Sequence, residues 1–266
     1  MSTFPTAPGS KTRPAPGEFR RRLLAGDLLV GTFVKTPHAS VVEVIGHSSL
    51  DCICLDAEHA PFDRPALDAG VLASRAAGLP CLIRVQRQDS SDILNALDLG
   101  VTGVPVPHVT SGEGASAVAR SARFGREGRG YAGSTRAAGH ATRPMGQVIS
   151  ELNDSVTVIA QIEDARALDE LDAIAAVEGI DALFVGRMDL TVSLGALSPQ
   201  EPVVIQAVEA ICAAAPRRSK PIGMFTSTPE EARLWMAKGV SLFLLASDQQ
   251  WILDGARRLS EQVRAK

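Results

Sequence analysis

Three features of the sequence predict a single α/β domain, a (β/α)8 TIM barrel over residues 17–266. Short apolar runs alternate with Ala-rich amphipathic segments from residue 17 to the C-terminus, giving eight β/α units. The runs are almost continuously apolar, as strands covered on both faces are, and this indicates a parallel sheet. The open-sheet alternative lacks its marks: no GxGxxG follows the first strand, and no GxxxxGK[ST] occurs.

In chain order, the first 16 residues are rich in Pro, Ser, Thr and Gly, have little to bury, and read as a flexible tail. The expected strands are "LLVGTFVK" (28–35), "LDCICLD" (50–56), "PCLIRV" (80–85), "VTGVPVP" (101–107), "VTVIAQIE" (156–163), "IDALFVG" (180–186), "KPIGMF" (220–225) and "VSLFLLAS" (240–247). Helices are expected over 63–78, 90–100, 113–125 and 228–239, which begin near polar or Pro starters and end on Gly. Residues 125–154 break the rhythm; so long a connection either lengthens the chain around an interface or reaches over the site.

Composition narrows the function. The 27 Lys and Arg against 30 Asp and Glu leave a net charge of -3, with no general attraction for nucleic acid or an anionic membrane, so a small molecule is the expected partner. No apolar run approaches the roughly 18 residues of a membrane span, and the start has no apolar signal core. A soluble, cytoplasmic protein is expected. Cys52, Cys54, Cys81 and Cys212 lie in apolar stretches without a CxxC pair and read as reduced core residues.

Barrel active sites form at the C-terminal ends of the strands, which directs attention to the polar residues there. The second strand ends in Asp56, Glu58 and His59, the third carries Arg84, the fifth ends in Gln161 and Glu163, and Asp189 follows the sixth. Consecutive parallel strands lie roughly 4.8 Å apart, so Glu163 and Asp189 can offer hard oxygens to one Mg²⁺-like ion. Taken singly, each is equally a solvated strand end or a helix cap. Arg84, between Ile83 and Val85, is costly unless paired, either with an anionic ligand or with a neighbouring carboxylate. His59 suits a general base whose tautomer a carboxylate fixes.

The motifs "DAEHAP", "IRV", "ALDLG", "QIED" and "VGRMDLT", in this order and spacing, resemble those of the HpcH/HpaI aldolases over roughly residues 18 to 250. The resemblance implies a (β/α)8 barrel, a homo-oligomer (a hexamer), and a class II aldolase using Mg²⁺, Mn²⁺ or Co²⁺. Such an enzyme cleaves or forms 4-hydroxy-2-oxo acids through a metal-stabilised enolate, with pyruvate or a related 2-oxo acid and an aldehyde as partners. It implies Glu163 and Asp189 as metal ligands, with Gln161, Arg84, Gly186, Met188 and Asp189 around the 2-oxo acid. His59 is implied as acid/base, Asp98 as its carboxylate partner, and Asp56 as a support of the site. Glu58 is left at most a role in orienting metal-bound water.

Arg187 stands where many members have Pro, and His108 lies in a segment that is hydrophobic in the family. Three other readings compete. One is a CoA-ester lyase of the citrate-lyase β or malyl-CoA type, with "GREGRG" as a phosphate loop; another is a non-catalytic 2-oxo-acid-binding barrel. The third is a Schiff-base aldolase, for which only Lys35 stands at the C-terminal end of a strand, Lys220 opening its strand at the other end.

Overall fold

The side chains of each strand alternate between two environments, and a closed barrel is what this alternation builds. The computed structural model describes residues 16–265, so the N-terminal tail expected over 1–16 lies outside the described residues except for Pro16. Its strands are β1 (Leu29–Val34), β2 (Cys52–Asp56), β3 (Cys81–Arg84), β4 (Gly103–Val106), β5 (Thr157–Ile162), β6 (Ala182–Val185), β7 (Ile222–Thr226) and β8 (Val240–Ser247). They pair in parallel in chain order, and β8 closes on β1 with Leu29 opposite Leu242. Each lies inside its expected segment except β7, which runs one residue further, to Thr226.

The helices are α1 (Pro16–Leu24), α2 (Ala39–Gly46), α3 (Arg64–Ala76), α4 (Ser90–Asp98), α5 (Gly112–Ala122), α6 (Met145–Ser155), α7 (Leu171–Ala176), α8 (Arg187–Ser193), α9 (Pro202–Arg217), α10 (Pro229–Met236) and α11 (Asp248–Arg264). The polar starters act as caps: Asp63, Asp89, Ser111 and Thr228 accept backbone N–H groups of α3, α4, α5 and α10. Gly78, Gly100 and Gly239 take positive φ just past α3, α4 and α10. The third expected Gly end fails: α5 stops at Ala122 on an extended Arg123, before Gly125.

Residues of β2 show the two layers. Ile53 and Leu55 pack outward among helix residues such as Val71 and Ile93, whereas Cys52 and Cys54 face the barrel interior with Leu82, Ile159, Phe184 and Leu244. That interior is tight: a Cβ at Gly31 would lie 2.5 Å from the Cys52 sulfur, so β1 needs glycine there. The four cysteines are free and buried, and burial pushes the Cys52 and Cys54 thiols far up, as inert core residues require. Phe19 and Leu23 of α1 join this interior cluster with no exposed surface, so α1 plugs the barrel.

The segment 125–154 ends in α6, which packs against α1. Before α6 it folds onto α3 and α4: Arg129 is bonded to Asp98 at 2.5 Å, and Arg136 pairs with Asp68 and donates to the Leu99 carbonyl. Because α4 returns from the C-terminal to the N-terminal end of the strands, Asp98, its last residue, holds this segment at the N-terminal end. Within one chain the segment does not reach over the C-terminal strand ends. Helix α11 leaves the barrel: Asp248 is its sole buried residue, while Trp251, Ile252, Leu253, Leu259 and Val263 are exposed. No helix among the described residues is long and apolar enough to cross a membrane.

Candidate active site

Register alone brings the first pair together, since Asp56 and Arg84 are neighbours at the ends of β2 and β3. Arg84 donates through Nε and Nη2 to the two carboxylate oxygens of Asp56, at 3.0 and 2.8 Å. Asp56 is fully buried, Arg84 nearly so, and the guanidinium lies 4.5 Å from the centre of the Phe33 ring. Burial alone would raise the Asp56 carboxyl, but the Arg84 hydrogen bonds and charge hold it below its ordinary range. Asp56 also accepts the His59 backbone N–H at 3.2 Å and lies 3.3 Å from Lys35 Nζ. The carboxylate pairing expected of Arg84 as a structural ion is therefore present, and the same guanidinium lines a cavity at this end of the barrel.

That cavity has a volume of about 180 Å³ and is bounded by His59, Arg84, Gly186, Asp189 and the rings of Phe33 and Phe184. It is small beside the roughly 300–1,000 Å³ of drug-sized sites and suits a compact substrate. Asp189 stands in the first turn of α8 and faces the cavity; no side chain caps that helix, so Asp189 is not its cap. Met188, more than half exposed, and Gly186 border the same space.

Glu163, just past β5, is held from two sides. Its Oε1 accepts the His108 backbone N–H at 2.8 Å and its Oε2 accepts Gln161 Nε2 at 2.5 Å. Gln161 is fully buried, and its amide oxygen has no partner. A Cβ at Gly186 would sit 2.5 Å from Glu163 Oε2, so any larger residue would displace the carboxylate. Burial raises the Glu163 pKa; the Gln161 and His108 bonds lower it, and the Asp189 charge adds to the rise.

Glu58 and His108 complete the cluster. One ligand atom from each of Glu58, His108 and Glu163 lies within 4.8 Å of the others. Glu58 Oε2 is 3.3 Å from Arg84 Nε and 3.6 Å from His59 Nε2, without an aligned hydrogen bond to either. Burial, opposed by Arg84 and reinforced by Glu163, pushes the Glu58 pKa up to about 7. His108 adopts a positive φ of 58°, places Nδ1 3.0 Å from Asp164, and turns Nε2 to 3.6 Å from Glu58. Burial would lower its pKa, but the Asp164 hydrogen bond and the surrounding carboxylates raise it.

One expected pairing is not made. Asp98 does not meet His59 within this chain: it ends α4 at the N-terminal end of the barrel and is bonded to the buried Arg129, while the carboxylate beside His59 is Glu58. Glu58, left at most a role in orienting metal-bound water, lies in one cluster with Glu163 and His108. His108, which the sequence marks only as a departure from the family, joins the cluster because it follows the end of β4, where the strand-end rule applies to it as to the others. Arg187 turns from the cavity floor to Glu231 of α10, leaving its Nε without a partner.

The donors suit a hard divalent cation. Glu163 and Asp189 are close enough to repel one another, Glu58 adds a buried oxygen with no hydrogen bond, and Gly186 keeps room beside Glu163. A cation there would relieve three carboxylates crowded into a poorly solvated pocket.

The description HpcH/HpaI aldolase/citrate lyase matches residues 29–254. A hydroxypyruvate/pyruvate aldolase of Paraburkholderia phytofirmans is 31% identical over 273 residues, covering 100% of both chains. A 5-keto-4-deoxy-D-glucarate aldolase of Salmonella arizonae is 31% identical, covering 94% of this chain and 97% of its own. Among solved structures, an HpcH/HpaI aldolase/citrate lyase family protein from Burkholderia cenocepacia has a TM-score of 0.90 at 31% identity, with 94% of this chain and 100% of that one covered. The matched span runs through all eight strands of the barrel and both halves of the carboxylate site, and the chain belongs to the HpcH/HpaI aldolase/citrate lyase family.

Proposed function

We propose that the protein is a divalent-metal-dependent aldolase that cleaves or forms 4-hydroxy-2-oxo acids, yielding pyruvate or a related 2-oxo acid and an aldehyde. The observation that carries this reading is one small cavity bordered by Arg84 and Asp189, with the buried Glu163 held against Gly186 at its edge. The aldolase names of its relatives support it.

Glu163 and Asp189 would hold the ion, Mg²⁺, Mn²⁺ or Co²⁺, with Glu58 and His108 at hand. A bound ion supplies Lewis acidity toward the carboxylate and keto oxygens of the 2-oxo acid. Arg84, fixed by Asp56, presents a preorganised cation to the negative charge that develops on the keto oxygen as the C3–C4 bond breaks. Gln161 acts by fixing Glu163. His59, half exposed on the cavity edge, takes the proton of the 4-hydroxyl in cleavage and returns it in addition. The Phe33, Phe184 and Phe225 rings form the apolar wall that limits water. Lys35 is committed to Asp56, Lys220 donates to the Val177 and Ile180 carbonyls at the other end of the barrel, and Lys238 pairs with Glu209, so no lysine among the described residues stands unpaired for Schiff-base chemistry.

The homo-oligomer belongs to the same proposal. The exposed apolar residues of α11 call for a protein partner, and an Asp98 that serves His59 must come from a second copy. Pyruvate release from 4-hydroxy-2-oxo acids, coupled to lactate dehydrogenase, tests the function. Release without CoA that EDTA abolishes is expected. Turnover unaffected by EDTA, or a covalent adduct with pyruvate and borohydride, would sink the metal mechanism, and no release across several such acids would favour a binding protein.

A further inference from the structure

At the N-terminal end of the barrel a second cavity, of about 600 Å³, opens between α5, α6 and the turn before β6. Arg20, Arg120 and Arg123 line it, with Ser116, Asn153 and Glu178. Asp181 is buried beside it and is shared: Oδ1 accepts Arg20 Nε and Nη2 at 3.0 and 2.7 Å, and Oδ2 accepts Arg123 Nη2 at 3.1 Å and the Val158 N–H at 2.8 Å. One carboxylate thus serves two guanidiniums; Asp154 adds its charge near Arg123 and its carbonyl accepts Arg20 Nη1 at 3.2 Å, which leaves Arg120 as the cation without an ion pair among the described residues.

The surplus has a direction. Arg123 Nη1 is buried with no hydrogen-bond partner, and the Arg120 guanidinium, one turn earlier on α5, makes no ion pair or hydrogen bond among the described residues. The polar neighbours are already committed: Asn153 bonds the Phe124 backbone through both ends of its amide, and Ser116 donates to the Gly112 carbonyl. Glu178 is exposed at the rim. The exposed Arg120 guanidinium and the part of Arg123 that lines the cavity offer charged donors to an oxyanion, which would neutralise their charge. Two planar guanidiniums, Arg120 on the last turn of α5 and Arg123 just past its end, with the Arg20 charge behind them, suit a group with several oxygens in different directions, which is a phosphate.

We propose that this cavity is a second ligand site, taking the phosphate group of a small anion on Arg120 and Arg123 at the end of the barrel away from the Glu163 cluster. Either inorganic phosphate or a phosphorylated metabolite offers that group, and the volume accommodates both.

Calorimetric titration of the full chain with inorganic phosphate and, separately, glucose 6-phosphate, at ionic strength held constant with NaCl, tests it. Saturable binding is expected, at least tenfold weaker in Arg120→Ala and in Arg123→Lys, and not displaced by pyruvate. Tighter glucose 6-phosphate binding identifies a phosphorylated metabolite; equal affinities identify the phosphate group alone. Arg120 is exposed and unpaired, so its variant keeps the fold and carries the test if Arg123→Lys does not. Absence of saturation, unchanged affinity in Arg120→Ala, or displacement by pyruvate would overturn the proposal.

Discussion

The two ends of the barrel are charged in opposite senses. At the C-terminal end Glu58 and Glu163 share one cluster with His108, Asp189 adds its negative charge beside Glu163, and the buried cation Arg84 is committed to Asp56. At the N-terminal end Arg20 and Arg123 crowd around one committed anion, Asp181. Both sites violate the rule that buried charges come in matched pairs. At each end one pair is matched, Asp56 with Arg84 and Asp181 with Arg20, and secures the fold, while the remaining charge is left for something outside the chain. A buried ion pair and a binding site are thus built from the same parts, differing in whether a counter-charge is already present.

Substitutions should separate these roles, and the largest effect is expected at the unmatched carboxylate. Glu163→Gln should cut aldolase turnover by about 10³-fold or more, with circular dichroism unchanged, because the side chain keeps its shape and loses its charge. Arg84→Ala should lower both quantities: turnover by about 10²-fold, for loss of a preorganised cation, and stability, because it strands the fully buried Asp56. Arg84→Lys should recover stability, read as the urea midpoint, more than it recovers rate.

Asp181→Ala should do the reverse, costing about 3 kcal/mol of stability, the lower end for a buried pair because Arg20 is partly exposed. Turnover at low temperature should stay within about twofold, and a large loss of rate would erase the division between the ends. The smallest effect concerns Glu58. Its pKa, pushed from 4.5 to about 7, means that the folded metal-free protein holds a proton that the unfolded chain releases. The contribution of Glu58 to stability is therefore full below about pH 4.5 and is lost as the pH rises through about 7. In EDTA the wild-type urea midpoint should be lower at about pH 8 than at about pH 5, and Glu58→Gln should narrow that difference.

Most of the barrel was legible because strand hydrophobicity and polar helix starters are local signals, and each of the eight strands appeared where its run predicts. The strand-end rule likewise located Asp56, Arg84, Glu163 and Asp189, since position along a strand fixes which end of the barrel a residue occupies. Asp98 shows the limit. Its place on the last turn of a helix puts it at the opposite end from His59, and the resemblance that suggested the pairing carried no information about which chain supplies it. Arg129 was invisible for a different reason: a Gly-rich segment has no periodicity, so nothing in 125–144 announces that one Arg is buried on Asp98 and Phe124. The fate of α11 was hidden too, because an amphipathic helix reads the same whether its apolar face meets its own barrel or another chain.

The α1 plug has a consequence for how the chain comes to be folded. Phe19 and Leu23 leave the ribosome before any strand, yet the chamber they fill is not complete until β8 pairs with β1, and the Thr32 hydroxyl bonds the Leu245 carbonyl across 213 residues. Through nearly the whole of synthesis the plug waits with two large apolar side chains uncovered. The first helix made is thus expected to be among the last to find its place, since contacts so distant in sequence slow folding and lengthen exposure to aggregation.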